Sequence, residues 1–220
     1  MIGHPNLKFI STDGTKNEIS GAPLVTGGVI SIGAGCIGQA TFYNSVSALK
    51  TCVDTTVDIQ GSTKSLTVAA WIKRTGVVPV SGISTVVLSG DTTTIFSLDL
   101  TPTLIRGVIR NASYTFFIVN ISASVAPLNT WTHVAFTFDR ATGVLLGYLN
   151  GVLTDTIQAV TPFTWVNYDA VKRTTIGNNY ASLDRVFNGY IDNGMHIYHT
   201  CLPITDIKRI MLGKHPLTRS

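Results

Sequence analysis

Residues 129–151 read NTWTHVAFTFDRATGVLLGYLNG, and this stretch decides the fold. Within it, residues 131–138 alternate along the chain. One face carries Thr132, Val134, Phe136 and Phe138, and the other carries Trp131, His133, Ala135 and Thr137. Both faces present side chains that can pack, so the pattern predicts a sandwich strand buried on two faces.

A hairpin is predicted directly after that strand. Asp139, Thr142 and Gly143 are turn formers, and residues 144–150 return to an extended pattern. Asn150-Gly151 is the dipeptide that best tolerates the positive φ angles of a two-residue hairpin. The chain is therefore expected to double back at this point.

The last third of the chain adds more extended structure and one helix. Residues 187–198 favour strands, and residues 205–212 favour a helix that ends at Gly213. The expected apolar face of the helix consists of Ile204, Ile207, Ile210 and Met211. One short helix thus ends an otherwise β chain.

Five segments follow one another in a characteristic order and spacing. They are residues 66–73 (LTVAAWIK), 131–135 (WTHVA), 147–151 (GYLNG), 175–177 (TIG) and 187–192 (FNGYID), the last followed by Ile197-Tyr198. This succession resembles the laminin-G-like domains of the concanavalin A-like lectin/glucanase superfamily. Residues 35–42 also resemble the family's G-x-x-G-x-A-x-x-F segment.

The resemblance implies an all-β fold, a two-sheet antiparallel jelly-roll β-sandwich with one short C-terminal helix. It implies one domain over residues 1–220. Its expected parts are N-terminal strands and loops (1–60, the loosest match), a sandwich core (61–204), the helix (205–213) and a basic tail (214–220). Asn193 stands where the family usually carries a second acidic residue, which argues against a metal at that end of the sheet.

The composition is consistent with one large core. A chain of 220 residues with 45% hydrophobic and 13% charged residues can bury a single sandwich core under a neutral polar surface. No apolar run has the length of a membrane span, and the N-terminal residues do not read as a signal peptide, so we expect no membrane insertion. The net charge of +4 comes from scattered basic residues, which does not favour nucleic-acid binding.

The three cysteines, Cys36, Cys52 and Cys201, cannot all pair within one chain and fit no zinc pattern. Buried, reduced thiols are the preferred interpretation. A bridge between Cys36 and Cys52 stays open as the alternative.

A glycine-rich motif suggests a different fold. Residues 33–38 fit G-x-G-x-x-G after an apolar strand, and Asp54 follows about 20 residues later, as in dinucleotide-binding folds. The chain after Asp58 shows no strand and helix alternation, however, so a glycine-rich loop that enters a strand is preferred.

The catalytic residues of a glucanase are not evident. Hydrolysis of a glycosidic bond needs two carboxyl groups, whereas Glu18 is the sole glutamate and most aspartates sit in turn-like settings. His133 is interpreted as a packed histidine that hydrogen-bonds to the backbone. We therefore expect no enzyme activity.

The resemblance raises the question of calcium, because many relatives bind it at the sandwich rim. Asp91, Asp99, Asp184, Asn178 and Asn179 offer oxygen atoms but form no dense acidic loop. We expect no cofactor and assign no calcium ligands.

A sugar site needs aromatic platforms beside hydrogen-bonding groups. The candidate set around one loop region is Trp165, Tyr168, Asn178, Asn179 and Tyr180. The preferred alternative is that Trp165 and Tyr168 pack beneath that loop.

These features predict a non-catalytic structural or binding protein. The first candidate is a phage virion surface component, such as a capsid decoration, cement or fibre protein, with other virion subunits as partners and glycan adhesion as an added role. The alternative is a stand-alone carbohydrate-binding, lectin-like module that is secreted or on the cell surface. The expected location is accordingly the virion, or else the extracellular space.

Overall fold

The computed structural model describes residues 25–27, 30–44, 49–53, 59–78, 82–171, 173–192 and 195–217, with the backbone alone for 25–27 and 49–53. These residues form two antiparallel sheets and one helix. Asn193 and Asp54 lie outside the described residues.

The first sheet has seven strands. In chain order they are β1 (Val25–Gly27), β4 (Leu49–Val53), β6 (Ser84–Ser89), β7 (Phe96–Leu100), β8 (Ile105–Arg110), β9 (Phe116–Ser122) and β13 (Arg173–Ile176). Their order across the sheet is β1-β4-β13-β6-β7-β8-β9, so β13 is inserted between strands from the first half of the chain.

The second sheet has eight strands. They are β2 (Ile30–Ala34), β3 (Gln39–Tyr43), β5 (Leu66–Arg74), β10 (Thr132–Asp139), β11 (Val144–Leu149), β12 (Val152–Gln158), β14 (Gly189–Asp192) and β15 (His196–Tyr198). The order is β12-β11-β10-β5-β14-β3-β2, and β15 pairs with β5 beside this path. The two sheets form the jelly-roll sandwich that the sequence predicts.

Strand β10 shows the predicted two-faced pattern. Val134, Phe136 and Phe138 belong to the main core between the sheets, while Ala135 belongs to a second apolar cluster on the opposite face. The strand begins and ends one residue later than the sequence suggests. The hairpin is also confirmed, since Asn150 and Gly151 join β11 to β12 with φ angles of 49° and 73°.

The helix α1 (Ile204–Met211) covers the outer face of the eight-stranded sheet. Its Ile207 and Ile210 pack with Leu202 on a cluster of four sheet residues, Ala69, Ala135, Tyr148 and Tyr198. The helix starts and stops one residue before the predicted range, and Gly213 follows with a φ of +71°. Ile204, by contrast, is 37% exposed.

His133 lies on this covered face beside the ring of Trp71. It is 1% exposed, and neither ring nitrogen has a hydrogen-bond partner. The prediction of a packed histidine is confirmed, but the predicted hydrogen bond from its ring to the backbone is wrong. Burial without a partner lowers the pKa of His133 to about 4.

The glycine-rich motif is the turn of a β-hairpin. Residues 35–38 join β2 to β3, and the Gly35 amide donates to the carbonyl of Gly38 at 2.8 Å. Asp192 of β14 accepts the Ile37 amide at 2.8 Å and so fixes the loop. The dinucleotide interpretation is therefore excluded, because a strand stands where the fingerprint needs a helix.

Candidate functional site

The outer face of the seven-stranded sheet carries polar side chains on its central strands. Along β7, Phe96, Leu98 and Leu100 enter the core, so the alternating Ser97 and Asp99 face outward. Outward polar residues on a central strand are unusual enough to mark a site when they are also buried. Asp99 is only 2% exposed and Ser97 1%.

The register of the sheet assembles the partners of Asp99. Thr85 of β6 and Arg106 of β8 are its direct cross-strand neighbours. Thr85 Oγ1 donates to Asp99 Oδ1 at 3.2 Å, and Ser97 Oγ donates to Oδ2 at 2.8 Å. Arg106 Nη2 lies 3.6 Å from Oδ2, close enough for charge attraction but beyond a hydrogen bond.

Burial dominates the electrostatics of this carboxyl group. Desolvation raises the pKa of Asp99, and the Ser97 hydroxyl, the charges of Arg106 and Arg185, and the Thr85 hydroxyl oppose it only in part. The group is thus a hydrogen-bonded acid under the influence of two arginines.

Asp99, Ser97 and the two arginines line a cleft of about 250 Å³. We call it the Asp99 cleft and define it by Ser97, Asp99, Arg106, Phe116, Ile118 and Arg185. The part of its lining that comes from β9 is apolar, with Phe116 46% and Ile118 37% exposed. Buried hydrogen-bonding groups and an exposed aromatic ring that line one cleft are the features that bind small polar ligands with apolar faces.

An aromatic rim continues from Phe116 away from the cleft. The Arg110 guanidinium lies 4.4 Å from the ring centre of Phe116 and 4.9 Å from that of Tyr114. Tyr114 in turn makes an edge contact with Tyr168 at 6.0 Å. Tyr114 and Tyr168 are 45% and 61% exposed, so the rim is available to a ligand longer than the cleft.

The sequence makes Trp165 a candidate sugar platform, with packing as the preferred alternative, and the structure shows it packed. It is fully buried, packs edge-on against Phe138 and Phe163, and donates from Nε1 to the Lys64 carbonyl at 2.9 Å. A ring with no exposed surface cannot stack on a sugar. Tyr168, three residues later, is exposed rather than packed beneath the loop.

The remaining predicted site residues have mainly structural contacts. Asn178 is fully buried, and its Oδ1 accepts the amides of Asn179 and Arg185. Asn179 Oδ1 accepts the amides of Ser182 and Leu183. Tyr180 is 43% exposed, with the Arg173 guanidinium 3.6 Å from its ring centre. The predicted set therefore does not form one ligand platform.

Sequence reasoning missed Arg106, Phe116 and Arg185 and named Asp99 only as an oxygen donor for calcium. One signal could have found part of the cleft. Arg106, Val108 and Arg110 occupy alternating positions and so share one face of β8. Two arginines on one face of a strand as apolar as β8 call for an acidic neighbour or a ligand.

The described residues contain no group of three or more His, Cys, Asp or Glu side chains that could hold a metal ion. Asp91 instead pairs with Arg173 at 2.8 Å. Cys36 is a free, exposed thiol, which corrects the expectation that it is buried, and Cys201 is half-buried. The side chain of Cys52 lies outside the described residues.

No helix in the described part of the chain is both long and apolar enough to cross a membrane.

Comparison with solved structures shows the same fold in several other protein domains. Domain 4 of AbnA, a GH43 extracellular arabinanase from Geobacillus stearothermophilus solved with arabinotriose, is 20% identical, with a TM-score of 0.69 over 94% of this chain and 98% of that one. The binding domain of Paraclostridial Mosquitocidal Protein 1 is 13% identical, with a TM-score of 0.70 over 94% of this chain and 52% of that one. The binding domain of botulinum neurotoxin DC, solved in complex with SialylT, is 16% identical, with a TM-score of 0.68 over 94% and 50%. The chain thus spans about half the length of these toxin domains.

No curated protein matches the chain in sequence. A laminin G family model, described as concanavalin A-like lectin/glucanases superfamily, matches residues 50–208, which is most of the chain. The match begins ten residues before the end of the N-terminal segment of loosest resemblance, residues 1–60. The chain belongs to the concanavalin A-like lectin/glucanases superfamily.

Proposed function

We propose that this protein is a non-catalytic glycan-binding module that holds its ligand in the Asp99 cleft. The observation that carries the proposal is that one cleft of about 250 Å³ is lined both by the buried, hydrogen-bonded Ser97 and Asp99 and by the exposed ring of Phe116. Sugars need both features, because their ring faces stack on aromatic groups while their hydroxyls need fixed partners.

The size of the cleft suits one sugar unit, since pockets for larger ligands run from roughly 300 to 1,000 Å³. The rim of Tyr114 and Tyr168 extends the surface for further units of an oligosaccharide. The similar solved structures support this assignment, because one was obtained with arabinotriose and another with SialylT.

The carboxyl groups support binding rather than hydrolysis. Asp99 is the one carboxylate among the described residues that line the cleft. Glycoside hydrolysis needs an acid and a second carboxylate on either side of the bond. The module therefore retains a sugar and leaves it intact.

The test is a glycan array followed by calorimetric titration of the best ligand. Phe116→Ala is expected to weaken binding about tenfold, the equivalent of losing roughly 1.4 kcal/mol. Leu153→Ala is the matched control, because Leu153 is also 46% exposed but lies on β12 of the other sheet. Equal losses in the two variants, or no ligand on the array, would refute the proposal.

The role as a virion surface component stays a prediction, as do its partners, other capsid or virion subunits, and its location on the virion or outside the cell. Co-sedimentation of the purified protein with virus particles tests it directly. Saturable binding would support a structural role that coexists with glycan adhesion.

A further inference from the structure

Charge in the Asp99 cleft is not balanced. Two cationic side chains, Arg106 and Arg185, line it, against one acidic side chain, Asp99. The other lining residues are hydroxyl-bearing or apolar. Asp184, 4.0 Å from Arg185, is half-exposed and lies outside the lining.

The hydrogen bonds in the cleft leave the guanidinium of Arg106 short of acceptors. Each oxygen of Asp99 already accepts a hydroxyl, from Thr85 and from Ser97. The guanidinium contacts the carboxylate only at 3.6 Å, and its Nε is buried with no hydrogen-bond partner. The guanidinium is thus poorly supplied with acceptors, and the Arg106 side chain is 21% exposed, so a ligand that brings an acceptor to its exposed part gains affinity.

The shape of a guanidinium selects the acceptor. Its parallel N–H donors match the two oxygens of a carboxylate, and such charge-assisted pairs are stronger than hydrogen bonds to neutral hydroxyls. The apolar side chains of Phe116 and Ile118 also line the cleft, and this apolar lining limits the screening of its charges by salt.

We infer that the Asp99 cleft selects sugars that carry a carboxylate, of the uronic or sialic acid class, with Arg106 as the residue that recognises the acid group and Arg185 as its electrostatic support. This inference rests on the proposed function and names its ligand class. Ser97 and Phe116 then contact the rest of the sugar ring.

The experiment compares sugars that differ at a single carbon. Glucuronate and glucose, and galacturonate and galactose, are titrated into ¹⁵N-labelled protein at low salt and followed by amide chemical shifts. We expect each acid to bind about tenfold or more tightly than its neutral partner, the usual scale for a charge-assisted pair. The shifts should map to β7, β8 and β9.

Variants assign the preference to Arg106. Arg106→Gln should abolish the difference between acid and neutral sugar while neutral binding persists. Arg106→Lys keeps the charge without the paired donors and should retain only part of the preference. Lys208→Gln removes one positive charge from the exposed side of helix α1, which packs on the other sheet. It should leave the affinities for acid and neutral sugar unchanged. The amide spectra of the variants show whether each is folded.

The outcomes separate the two proposals. Equal affinity for glucuronate and glucose would overturn this inference and leave glycan binding intact. Binding of no sugar at all would overturn the proposed function first. Glucose 6-sulfate and acetate serve as anion controls. If either bound as tightly as glucuronate, the cleft would be a general anion site and the carboxylate-sugar inference would fail.

Discussion

The two outer faces of the sandwich differ in what covers them and in the side chains that they carry. On the eight-stranded sheet, helix α1 covers an apolar cluster, and His133 beside Trp71 is buried with no hydrogen-bond partner. On the seven-stranded sheet, the Asp99 cleft keeps a carboxyl group, two arginines and an exposed aromatic ring. Both faces are formed by strands whose side chains point alternately inward and outward. What differs is the cover: the cluster beneath α1 consists of apolar side chains, whereas the cleft on the uncovered face is lined by charged ones as well.

Among substitutions on the covered face, those in helix α1 should lower the free energy of unfolding most. Ile207→Ala should destabilise the protein by about 2–5 kcal/mol, because the side chain is fully buried and its loss leaves a cavity. Ile204→Ala is the matched control on the same helix, 37% exposed, and should cost less than about 1 kcal/mol. Urea denaturation measures both. Similar costs in the two variants would mean that the helix is not the cover of this face.

His133 gives the covered face a pH dependence of known sign. Its pKa is about 4 in the folded protein against 6.5 when exposed, so the unfolded chain binds a proton first as the pH falls. Stability should be full above pH 6.5 and should decline by about 3 kcal/mol as the pH falls through 4.

Two substitutions isolate this effect. His133→Leu should remove the acid loss between pH 6.5 and 4, since leucine does not titrate. His215→Leu removes an exposed histidine and should leave that loss unchanged. An unaltered acid profile in His133→Leu would show that the ring is not held neutral by burial.

Local patterns predicted the covered face well. The alternation in β10, the Asn150-Gly151 hairpin and the spacing of Ile207 and Ile210 all report short-range geometry that the sequence states directly. The covering of one face by α1 follows from its apolar stripe. Strand order was beyond such patterns, because the insertion of β13 between β4 and β6 depends on contacts more than 80 residues apart.

The open face was predicted poorly for a related reason. The sequence shows which residues are aromatic but not which of them are buried, and burial separates Trp165 from Tyr168 completely. Asp99 and Arg106 are ordinary in sequence and become a pair only through the register of β7 and β8. A ligand cleft on a sheet is assembled across strands, so its members share no motif along the chain.

Asp169 and Asp99 are both buried, but their pKa values shift in opposite directions. Burial acts to raise the pKa of Asp169, but the Thr92 hydroxyl and the amides of Asp91, Thr92 and Thr93 outweigh it and lower the pKa. The ionised carboxylate of Asp169 therefore stabilises the turn between β6 and β7. Asp169→Asn should cost about 2 kcal/mol at pH 7, the scale of a hydrogen bond to a charged group.

The pH dependence of that cost has a defined sign. Because the folded pKa of Asp169 lies below the unfolded value, its contribution is present above the ordinary carboxyl pKa of about 3.9 and disappears as the pH falls through the folded pKa. The stability difference between wild type and Asp169→Asn, measured in urea from pH 7 to pH 3, should therefore shrink toward acid. A constant difference would refute the role of the charge.

Asp99→Asn should have the smallest effect and the opposite pH trend. Burial raises the pKa of Asp99, so the folded protein binds a proton before the unfolded chain does, and wild type should gain stability relative to the variant as the pH falls through the raised value. At pH 7 the change should stay within about 1 kcal/mol, because losing the attraction to Arg106 is offset by no longer burying a charge. A loss at pH 7 as large as that of Asp169→Asn would mean that the cleft, like the turn at Asp169, is built around its charge for stability. A small change with the predicted trend means instead that the fold does not depend on this charge, which leaves the arginines beside it free to recognise a ligand.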